Sequence, residues 1–545
     1  MLLLRLLTSL LIALLAVACT SENETTAASY SVLVPGSPLH SPNGLTLGPD
    51  GYLYAGSVAS QTIFRVDPAS GEVSVVVPPP AGEADDIAFS PDGQMAWTAL
   101  VAGEIRTQLP DGQVAVLVPK QRLINPIDYT SDGRLFAGQM AIDRLYEFSA
   151  DAEPRLVTSK QGNLNSFEIT ADGQLFGPLL DKGAVAKIDI ETGDVSLIAE
   201  GLGKVVAVNL DPDGRVWAID WVSGDLWRID PGAQDDQFEV PVRVATLVPP
   251  LDNLAVGQDG TVFVTRPAHS AIDRVDPDSG EVQSLVPGEL AGPGGLTVIE
   301  QAGREVLLVA DAHAWRLVDM TTGEVTAPTD LTQFGYPNAA THVVANADYF
   351  GFTHAAGRGR VYLVDRQDGK TATSWVGLKR PYGIVLGSDG DPIVADFDAG
   401  TIIGLSRSDR RSKALLAEDL KGPVGLAWAG PKSVYVTEAT GGTLLKVSLD
   451  GGGRTSIATG LLQPEGIHPL ADGRIAVVEV GRQRVIAIDP ADGTITVLAE
   501  ELPVGEGRDP ITEPVYLPSD VTQASDGSLY LTGDRNNSVI RVALD

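Results

Sequence analysis

The sequence predicts an all-β protein that consists of two tandem six-bladed β-propellers, with twelve four-stranded blades in total. Three observations support this fold. A unit of about forty residues recurs twelve times along the chain. Tight-turn signals divide each unit into short runs that are rich in Val, Ile, Leu, Tyr and Phe, which favour strands. Beyond the N-terminus, no segment shows sustained helical periodicity.

Each unit contains the signals of four antiparallel strands, which is the content of one propeller blade. The pattern is illustrated by SPNGLTLGPDGYLYAGSVASQTIFRVD at 41–67 and by LDNLAVGQDGTVFVTRPAHSAIDRVD at 251–276. Nine units carry Asp-Gly in the first turn, as at Asp50-Gly51. We expect a two-residue type I′ hairpin there, because that turn needs positive φ at both central residues. A later turn recurs as SGEV at 70–73 and in similar forms elsewhere.

Twelve blades in one ring would leave a wide central hole, so two rings of six are preferred. A lone strand, YSVLVPG at 30–36, precedes the first unit, and the last unit stops at its third strand, VIRVALD at 539–545. Because 30–36 resembles VQSLVPG at 282–288, we expect it to complete the blade begun by 251–276. Residues 281–287 would then complete the last blade. The predicted domains are 30–277 and 278–545, with one crossing near Pro277.

The N-terminus has the pattern of an exported lipoprotein. Residues 1–18 combine an early Arg with an apolar run and small residues, which indicates a signal peptide. Cys19 follows Ala16-Val17-Ala18 and is the only cysteine, so we predict that it is lipidated. Residues 19–29 would form a polar tether. The predicted location is the bacterial cell envelope, at the outer membrane or facing the periplasm. The alternative is an ordinary cleaved secretory signal with an incidental cysteine.

Length and charge restrict the partners. The chain has 545 residues with 43% hydrophobic content, enough for two packed domains. Its net charge of −32 disfavours nucleic acid and anionic membrane surfaces. Membrane contact is therefore expected only through the N-terminal lipid. The remaining partners are an envelope protein, a glycan or a small molecule.

Candidate ligand-binding residues lie where first strands begin and second strands end, because both positions meet one face of a propeller. Ring one supplies acids and amides there, and ring two supplies a histidine, an arginine and a tyrosine. The candidates are Asn43, Asp86, Asp128, Asn165, Asp252, Asn253 and Asp220 in ring one, and His342, Arg380 and Tyr382 in ring two.

A second group of candidates is acidic and belongs to ring two. Acids recur at second-strand ends there, and further acids begin two first strands. Oxygen ligands of this kind suit calcium or magnesium rather than zinc. The alternative is that these acids accept hydrogen bonds from loop N–H groups. The metal candidates are Glu465, Asp520, Glu438, Glu479 and Asp396.

The repeats resemble those of the gluconolactonase/senescence-marker-protein superfamily of six-bladed propellers and, more loosely, NHL repeats. The resemblance rests on Pro42-Asn43-Gly44-Leu45 followed by Pro49-Asp50-Gly51. Residues 422–438 also look like repeats of the virginiamycin B lyase type. The lactonases hold one divalent cation with Glu, Asn and Asp side chains. The resemblance assigns such roles to Asn43 in ring one and Glu465 in ring two.

Two functions follow from these observations. The first is a non-enzymatic, lipid-anchored double propeller that acts as a scaffold for a ligand or a protein. The second is a calcium- or magnesium-dependent hydrolase of lactones or esters, or a lyase, in which the ion polarises a carbonyl group and a carboxylate acts as base. The first is preferred, and no catalytic residue is assigned.

Overall fold

The structure, a computed structural model, describes residues 22–23, 29–149, 152–232, 237–327, 340–355, 357–505 and 517–544. The predicted signal peptide 1–18 and the predicted lipidation site Cys19 lie outside these residues. No helix in the described ranges is long and apolar enough to cross a membrane. The helices found there are three short 3₁₀ turns, Met140–Ile142, Pro267–His269 and Val480–Arg482.

Strands form twelve antiparallel sheets, and each sheet is one blade, which confirms the predicted fold class. Blades 1 to 6 make up ring one, and each consists of four consecutive strands. In order, these are Leu45–Leu47, Leu53–Ser57, Thr62–Val66 and Val73–Val77 (blade 1); Ile87–Phe89, Met95–Ala99, Glu104–Gln108 and Val114–Val118 (blade 2); Ile124–Tyr129, Leu135–Gln139, Arg144–Ser149 and Ala152–Ser159 (blade 3); Glu168–Ile169, Gln174–Leu179, Ala184–Asp189 and Val195–Glu200 (blade 4); Val205–Leu210, Val216–Asp220, Asp225–Ile229 and Val242–Thr246 (blade 5); and Leu254–Val256, Val262–Arg266, Ala271–Val275 and Val282–Val286 (blade 6).

Blades 7 to 12 make up ring two. Their strands are Pro293–Gln301, Arg304–Asp311, Trp315–Asp319 and Val325–Thr326 (blade 7); Ala340–Ala345, Tyr349–His354, Gly359–Asp365 and Thr371–Leu378 (blade 8); Pro381–Leu386, Pro392–Asp396, Thr401–Leu405 and Lys413–Ala417 (blade 9); Pro423–Gly430, Ser433–Glu438, Thr443–Ser448 and Arg454–Thr459 (blade 10); Pro464–Pro469, Ile475–Glu479, Arg484–Ile488 and Ile495–Ala499 (blade 11); and Val521–Gln523, Leu529–Gly533, Ser538–Val542 and Tyr30–Val34 (blade 12). Glu22–Asn23, in the predicted tether, adds a short parallel strand beside Ile495–Thr496 of blade 11.

Hydrophobic clusters between neighbouring blades form the core, and they close each ring separately. In ring one, Leu45 of blade 1 packs in the same cluster as Ala255 and Val286 of blade 6. In ring two, Leu296 of blade 7 shares a cluster with Tyr530 of blade 12. Burial of apolar side chains at each of these joints supplies the main stabilisation of the rings. The molecule is therefore a pair of six-bladed rings and not one ring of twelve.

The predicted exchange of edge strands between the rings is wrong. Tyr30–Val34 pairs with Ser538–Val542 and completes blade 12 of ring two. Val282–Val286 pairs with its own neighbour, Ala271–Val275, in blade 6. The reason is local: the Asp276 carboxylate accepts the backbone N–H groups of the following turn, so these two strands form a hairpin directly. The chain thus crosses between rings twice, at 35–44 and at 287–292.

The Asp-Gly turns also differ from the predicted type I′ geometry. Positive φ falls on the glycine, with 81° at Gly51 and 83° at Gly93. The N–H of Gly51 donates to the carbonyl of Gly48 at 2.9 Å, which closes a turn over Pro49 and Asp50. This is a type I turn followed by a left-handed glycine, the usual three-residue hairpin loop. Glycine is required there because other residues avoid that conformation.

A second glycine of the repeat allows the first strands of neighbouring blades to approach one another around the channel. A Cβ atom added to Gly466 of blade 11 would lie 2.4 Å from the Cα atom of Asp520 in blade 12. A Cβ atom added to Gly425 would lie 2.4 Å from the carbonyl oxygen of Glu465. The recurrent Gly of the Pro-Asn-Gly-Leu type of motif therefore has a packing role.

The two rings contact each other through buried polar groups. The guanidinium of Arg316, which is 2% exposed, forms an ion pair with Asp311 within ring two and donates to the carbonyl of Ala268 in ring one. The hydroxyl of Ser37, in the first crossing segment, donates to the carbonyl of Ser270 at 2.6 Å. Buried hydrogen bonds of this kind are costly to break. They fix the crossing segment against ring one.

Candidate functional site

First strands surround the channel of each ring, as predicted, and in ring one their acids bind the next blade. Oδ2 of Asp86 accepts the N–H of Ile127 at 3.2 Å, and Oδ2 of Asp128 accepts the N–H of Ile169 at 2.6 Å. Glu168 continues the series, because its Oε2 accepts the N–H of Leu210 at 2.6 Å. These carboxylates thus connect blades 2, 3, 4 and 5 in succession.

Glu168 is a channel residue that the sequence analysis missed. It lies forty residues after Asp128, at the repeat spacing, so the periodicity could have identified it. Asn165, which was named for the same blade, accepts a hydrogen bond from Asn125 at 2.9 Å instead. The Asn165 side chain therefore connects blades 3 and 4 through an amide pair.

Burial raises the pKa values of these acids. Burial is the main cause in each case and gives pKa values of about 7 for Asp86, about 8 for Asp128 and about 7 for Glu168. The negative charge of Glu168 contributes to the shift at Asp128. The backbone hydrogen bonds lower the pKa values and only partly offset burial. The channel of ring one thus holds a series of carboxyl groups that titrate near neutral pH.

Asn253 bridges the channel of ring one between blades that are not neighbours. From blade 6, its Nδ2 donates to Oδ1 of Asp86 in blade 2 at 3.1 Å. Its Oδ1 accepts the hydroxyl of Ser166 in blade 4 at 3.1 Å. Nearby, Nδ2 of Asn43 donates to Oδ2 of Asp252 at 2.8 Å. The polar atoms of Asn43, Asp86, Asp252 and Asn253, which were predicted to bind a ligand, thus form hydrogen bonds within ring one.

The donors in ring one do not fit the cation site that the family resemblance implies. The Asn43 amide presents its N–H group to Asp252, and its oxygen accepts the N–H of Val58 at 3.3 Å. Burial and the charge of Asp252 raise the pKa of Asp85 well above its usual value. Among the described residues, no group of three or more His, Cys, Asp or Glu side chains is placed to hold a metal ion.

The far end of the ring-one channel opens into a recess of about 670 Å³. Glu168 and Asp211 lie on its wall, together with apolar residues such as Leu47 and Ala255. Asp211 forms an ion pair with Arg215 at 2.7 Å and accepts the indole N–H of Trp217 at 3.0 Å. The charged groups of this recess thus have partners within the protein.

Acids at the second-strand ends hold the chain that leads into the first strand of the same blade. Oxygens of Asp396 accept the N–H groups of Lys379 and Arg380 at 2.9 and 2.8 Å. Glu438 accepts the N–H of Lys421 at 2.7 Å in the same way. Asp220 caps the turn after its strand, accepting the N–H of Val222 at 2.7 Å.

Glu479 is the most enclosed acid of this type. It is 0% exposed, accepts the N–H of Leu462 at 2.7 Å, and forms an ion pair with Arg484 at 2.6 Å. Arg482 is a second ionic partner. The five metal candidates come from four blades, 9 to 12, and do not meet as a ligand set. Their observed role is the alternative stated above, acceptance of hydrogen bonds from loop groups.

Two of these candidates, Glu465 and Asp520, begin first strands and join neighbouring blades of ring two. Oε2 of Glu465 accepts the N–H of Ser519 at 2.7 Å, and Oδ2 of Asp520 accepts the N–H of Leu296 at 3.2 Å. The second bond connects blade 12 to blade 7 where the ring closes. Burial raises the pKa of Glu465 well above its usual range and that of Asp520 to about 7.

Arg380 and Tyr382 lie beside each other at the start of blade 9. Arg380 forms an ion pair with Asp398 at 3.0 Å, and its guanidinium lies 5.4 Å from the ring centre of Phe397. The Tyr382 ring packs against Phe397 at 5.6 Å and against His342 at 6.2 Å. Burial raises the pKa of Tyr382 far above its usual value. These two candidates form a packed cluster next to the channel.

Ring two contains a channel cavity of about 360 Å³, and first strands of all six blades line it. His342 lies on its wall and is 4% exposed. Both ring nitrogens of His342 are buried away from the cavity, and neither has a well-formed hydrogen bond to a described residue. Burial lowers the pKa of His342 to about 4, and the neighbouring Thr341 carbonyl opposes this shift. The two rings therefore differ, because side-chain bridges cross the channel of ring one and the channel of ring two retains a cavity.

The fold and the two channels define this protein as a double six-bladed β-propeller. Residues 42–288 match the family model described as SMP-30/Gluconolactonase/LRE-like region. This range corresponds to ring one and is slightly less than half of the chain. The predicted resemblance is thus confirmed for ring one. None of the curated proteins compared with the chain is significantly similar to it.

The solved structures that match this chain include two kinds of protein. A streptogramin B lyase gives a TM-score of 0.38 at 16% identity, covering 52% of this chain and 94% of that chain. Virginiamycin B lyase from Staphylococcus aureus gives 0.38 at 15% identity, covering 52% and 96%. The extracellular domain of a protein described as a hybrid two component system from B. thetaiotaomicron gives 0.32 at 12% identity, covering 95% and 82%. The assignment of two rings rests on the twelve sheets themselves.

Proposed function

We propose that this chain is a lipid-anchored double propeller of the bacterial cell envelope that binds a ligand without converting it. The proposal rests on the hydrogen bonds that the channel acids of ring one form with the protein itself. Asp86, Asp128 and Glu168 each accept a backbone N–H of the next blade. A general base or a metal ligand needs a carboxylate oxygen that is available to its target. These groups instead stabilise a rigid frame, and a rigid frame with broad loop faces suits binding.

The N-terminal sequence supports the envelope location. An apolar run ends at Ala16-Val17-Ala18 immediately before the sole cysteine, Cys19. The acidic net charge of −32 disfavours nucleic acid as the partner, which leaves a protein, a glycan or a small molecule.

Membrane fractionation of cells expressing the full chain tests the anchor. We expect the wild type in the membrane fraction and Cys19→Ser in the soluble envelope fraction. Thr20→Ser is the matched control, because it keeps the cysteine and changes only its neighbour. Equal membrane association of the wild type and Cys19→Ser would contradict lipid anchoring.

Assays of the purified mature chain distinguish binding from catalysis. A panel of lactones and esters is incubated with the protein in the presence of calcium or magnesium. We expect no turnover, whereas a soluble glycan or small molecule that binds should raise the melting temperature and be recovered unchanged. Metal-dependent hydrolysis that is lost in Asp252→Asn or Glu465→Gln would instead establish the hydrolase alternative.

A further inference from the structure

The loops at one end of ring one carry a series of cations in an otherwise acidic chain. They lie where second strands end and where the chain enters first strands, on the face that was predicted to meet ligands. This series is called the basic rim, and its members are Lys120, Arg122, Arg144, Lys160, Lys182 and Lys204. All six residues are exposed, and none of them forms an ion pair with a described residue. Other cations of ring one are paired, as Arg65 is with Asp50.

Contacts between neighbouring loops place the rim cations of blades 3 and 4 next to one another. The N–H of Lys160 donates to the carbonyl of Asp143, the residue before Arg144, at 2.8 Å. A Cβ atom added to Gly162 would lie 3.0 Å from Cγ of Lys182. Because Gly162 is two residues from Lys160, the rim continues from blade 3 to blade 4 without a break.

The same arrangement continues to blade 5. The N–H of Leu202 donates to the carbonyl of Gly183, the residue after Lys182, at 3.0 Å. The N–H of Trp221 donates to the carbonyl of Lys204 at 3.0 Å, and Trp221 is half-buried. The rim is therefore a line of cations that follows blades 3, 4 and 5 around the channel and ends beside an indole ring.

The local charge of the rim is opposite to that of the whole chain. In the loops that carry these six cations, Asp181 and Glu200 are the exposed acids among the described residues. The net charge of −32 is spread over the whole protein, and salt screens exposed charges beyond about 8 Å at physiological ionic strength. An anion at the rim therefore meets mainly the positive charges beside it.

The spacing of the cations favours an extended anion with charges at intervals. Each of blades 3, 4 and 5 contributes its own cations, so a small anion can contact only part of the line, whereas a chain can contact all of it. The half-buried amides of Gln121, Gln139 and Gln161 lie in the same loops and can form hydrogen bonds with hydroxyl groups. A polysaccharide that carries carboxylates has both kinds of group along its length.

The predicted anchor lies elsewhere on the molecule. Glu22–Asn23, which follows Cys19 closely in sequence, pairs with the fourth strand of blade 11 in ring two. The lipid expected at Cys19 would therefore hold ring two, and not the rim-bearing blades of ring one, to the membrane. This favours a polysaccharide over a membrane surface as the partner of the rim.

We propose that the basic rim of ring one binds a carboxylate-bearing polysaccharide, whose charges pair with Arg144, Lys160, Lys182 and Lys204 in succession. The inference rests on the proposed ligand-binding function and specifies its ligand class.

The test uses polygalacturonate as the probe, with the full mature chain, and follows binding by calorimetry at pH 7 in low salt without divalent cations. We expect saturable binding that weakens by about tenfold or more when salt is raised from about 50 to about 200 mM, because exposed charges are screened. Monomeric galacturonate should bind at least about tenfold more weakly, since it reaches only part of the rim. Dextran, which is uncharged, should not bind.

Two double variants with the same net charge locate the site. Lys160→Glu combined with Lys182→Glu should weaken polygalacturonate binding by about tenfold or more, since two attractive charges become repulsive. Lys370→Glu combined with Lys432→Glu is the matched control, because these lysines are 81% and 78% exposed in turns of ring two. The control should bind as the wild type does. Circular dichroism and thermal melting confirm that each variant is folded.

Three results would overturn the inference. These are no saturable binding of polygalacturonate by the folded wild type, equal weakening in the two double variants, and tighter binding of phosphatidylglycerol vesicles than of polygalacturonate that the rim variant abolishes. The last result would assign the rim to a membrane surface. None of them changes the fractionation and turnover results that test the proposed function, so failure of this site is distinguishable from failure of that function.

Discussion

The Nδ2 atom of Asn253 donates a 3.1 Å hydrogen bond to Oδ1 of Asp86 across the channel of ring one. The two residues belong to blades 6 and 2, which are separated around the ring by blade 1. Since Asn253 also accepts a hydrogen bond from Ser166 of blade 4, one amide connects three blades. Hydrogen bonds across the channel therefore stabilise ring one in addition to the packing between neighbouring blades.

Removing this amide should destabilise ring one. Asn253→Ala leaves Asp86 and Ser166 without this partner in a buried place, so we expect the free energy of unfolding to fall by about 1–3 kcal/mol. Chemical denaturation followed by tryptophan fluorescence measures the change. Gln367→Ala, at an exposed position of ring two, is the control and should change stability by less than about 0.5 kcal/mol. An unchanged stability of Asn253→Ala would show that the bridge contributes nothing.

The stabilising contribution of Asp128 should decrease as the pH rises from about 4 to about 8. Burial raises the pKa of Asp128 to about 8, above its ordinary value of 3.8, so the folded state holds a proton that the unfolded state has lost. Bound protons in the folded state make stability fall with increasing pH in this window. Asp128→Asn removes one such group and should flatten the slope by about one proton.

The measurement is the free energy of unfolding at several pH values, compared between wild type and variant. Asp319→Asn is the control, because hydrogen bonds from the N–H groups of Thr322 and Thr321 lower the pKa of that half-buried carboxyl. Its stabilising effect is present above the unfolded pKa and is lost on acidification, so its removal leaves the slope near pH 7 unchanged. An Asp128→Asn variant whose stability changes with pH as steeply as that of the wild type between pH 5 and pH 8 would contradict the interpretation.

The N-terminal strand should be required for ring two. Val34 is 0% exposed in the joint between blades 12 and 7, whereas Val32 on the same strand is 54% exposed. Val34→Asp buries an unpaired carboxylate, and we expect it to lower the free energy of unfolding by more than about 3 kcal/mol. Val32→Asp is the matched control and should change stability little. Limited proteolysis should show cleavage sites of Val34→Asp within ring two and an intact ring one.

The acid at the end of the second strand of blade 11 should be structural and independent of calcium. Glu479→Gln separates Arg484 from its ionic partner inside the protein, so stability should fall by about 3–5 kcal/mol. The fall should be equal with and without millimolar calcium. Glu418→Gln, at an exposed position, is the control. A calcium-induced rise in the wild-type melting temperature that Glu479→Gln or Glu465→Gln removes would favour a metal site instead.

The repeat determines most of the fold because each blade is a local unit of hairpins. The turn glycines and alternating apolar residues were therefore sufficient to predict twelve sheets and two rings. The partner of Tyr30–Val34 was not predictable from its similarity to Val282–Val286, since similar strands fit similar edges. The turn at Asp276 determines the pairing, because a strand joined by a tight turn pairs with its neighbour at a lower entropic cost than a distant strand does.

The candidate site was predicted less well than the fold. Positions such as His342 and Asp128 follow from the repeat, because first strands surround the channel. The available hydrogen-bonding capacity of each residue does not follow from it. Asp128 binds a backbone N–H and His342 does not, and this difference depends on side-chain packing between blades. The sequence therefore identifies the residues around the channels, but it does not show which of them form hydrogen bonds within the protein.

The closing strand of ring two has a consequence for biosynthesis. Tyr30 lies opposite Val542, so a strand that is synthesised before ring one pairs with a strand that is synthesised after the other blades of ring two. Ring one is continuous in sequence and can close while the rest of the chain is still being made. A chain that terminates early leaves Tyr30–Val34 without its partner and exposes the edges of an open ring to proteases. Closure of ring two therefore makes a protease-resistant product conditional on synthesis of the chain through Val542.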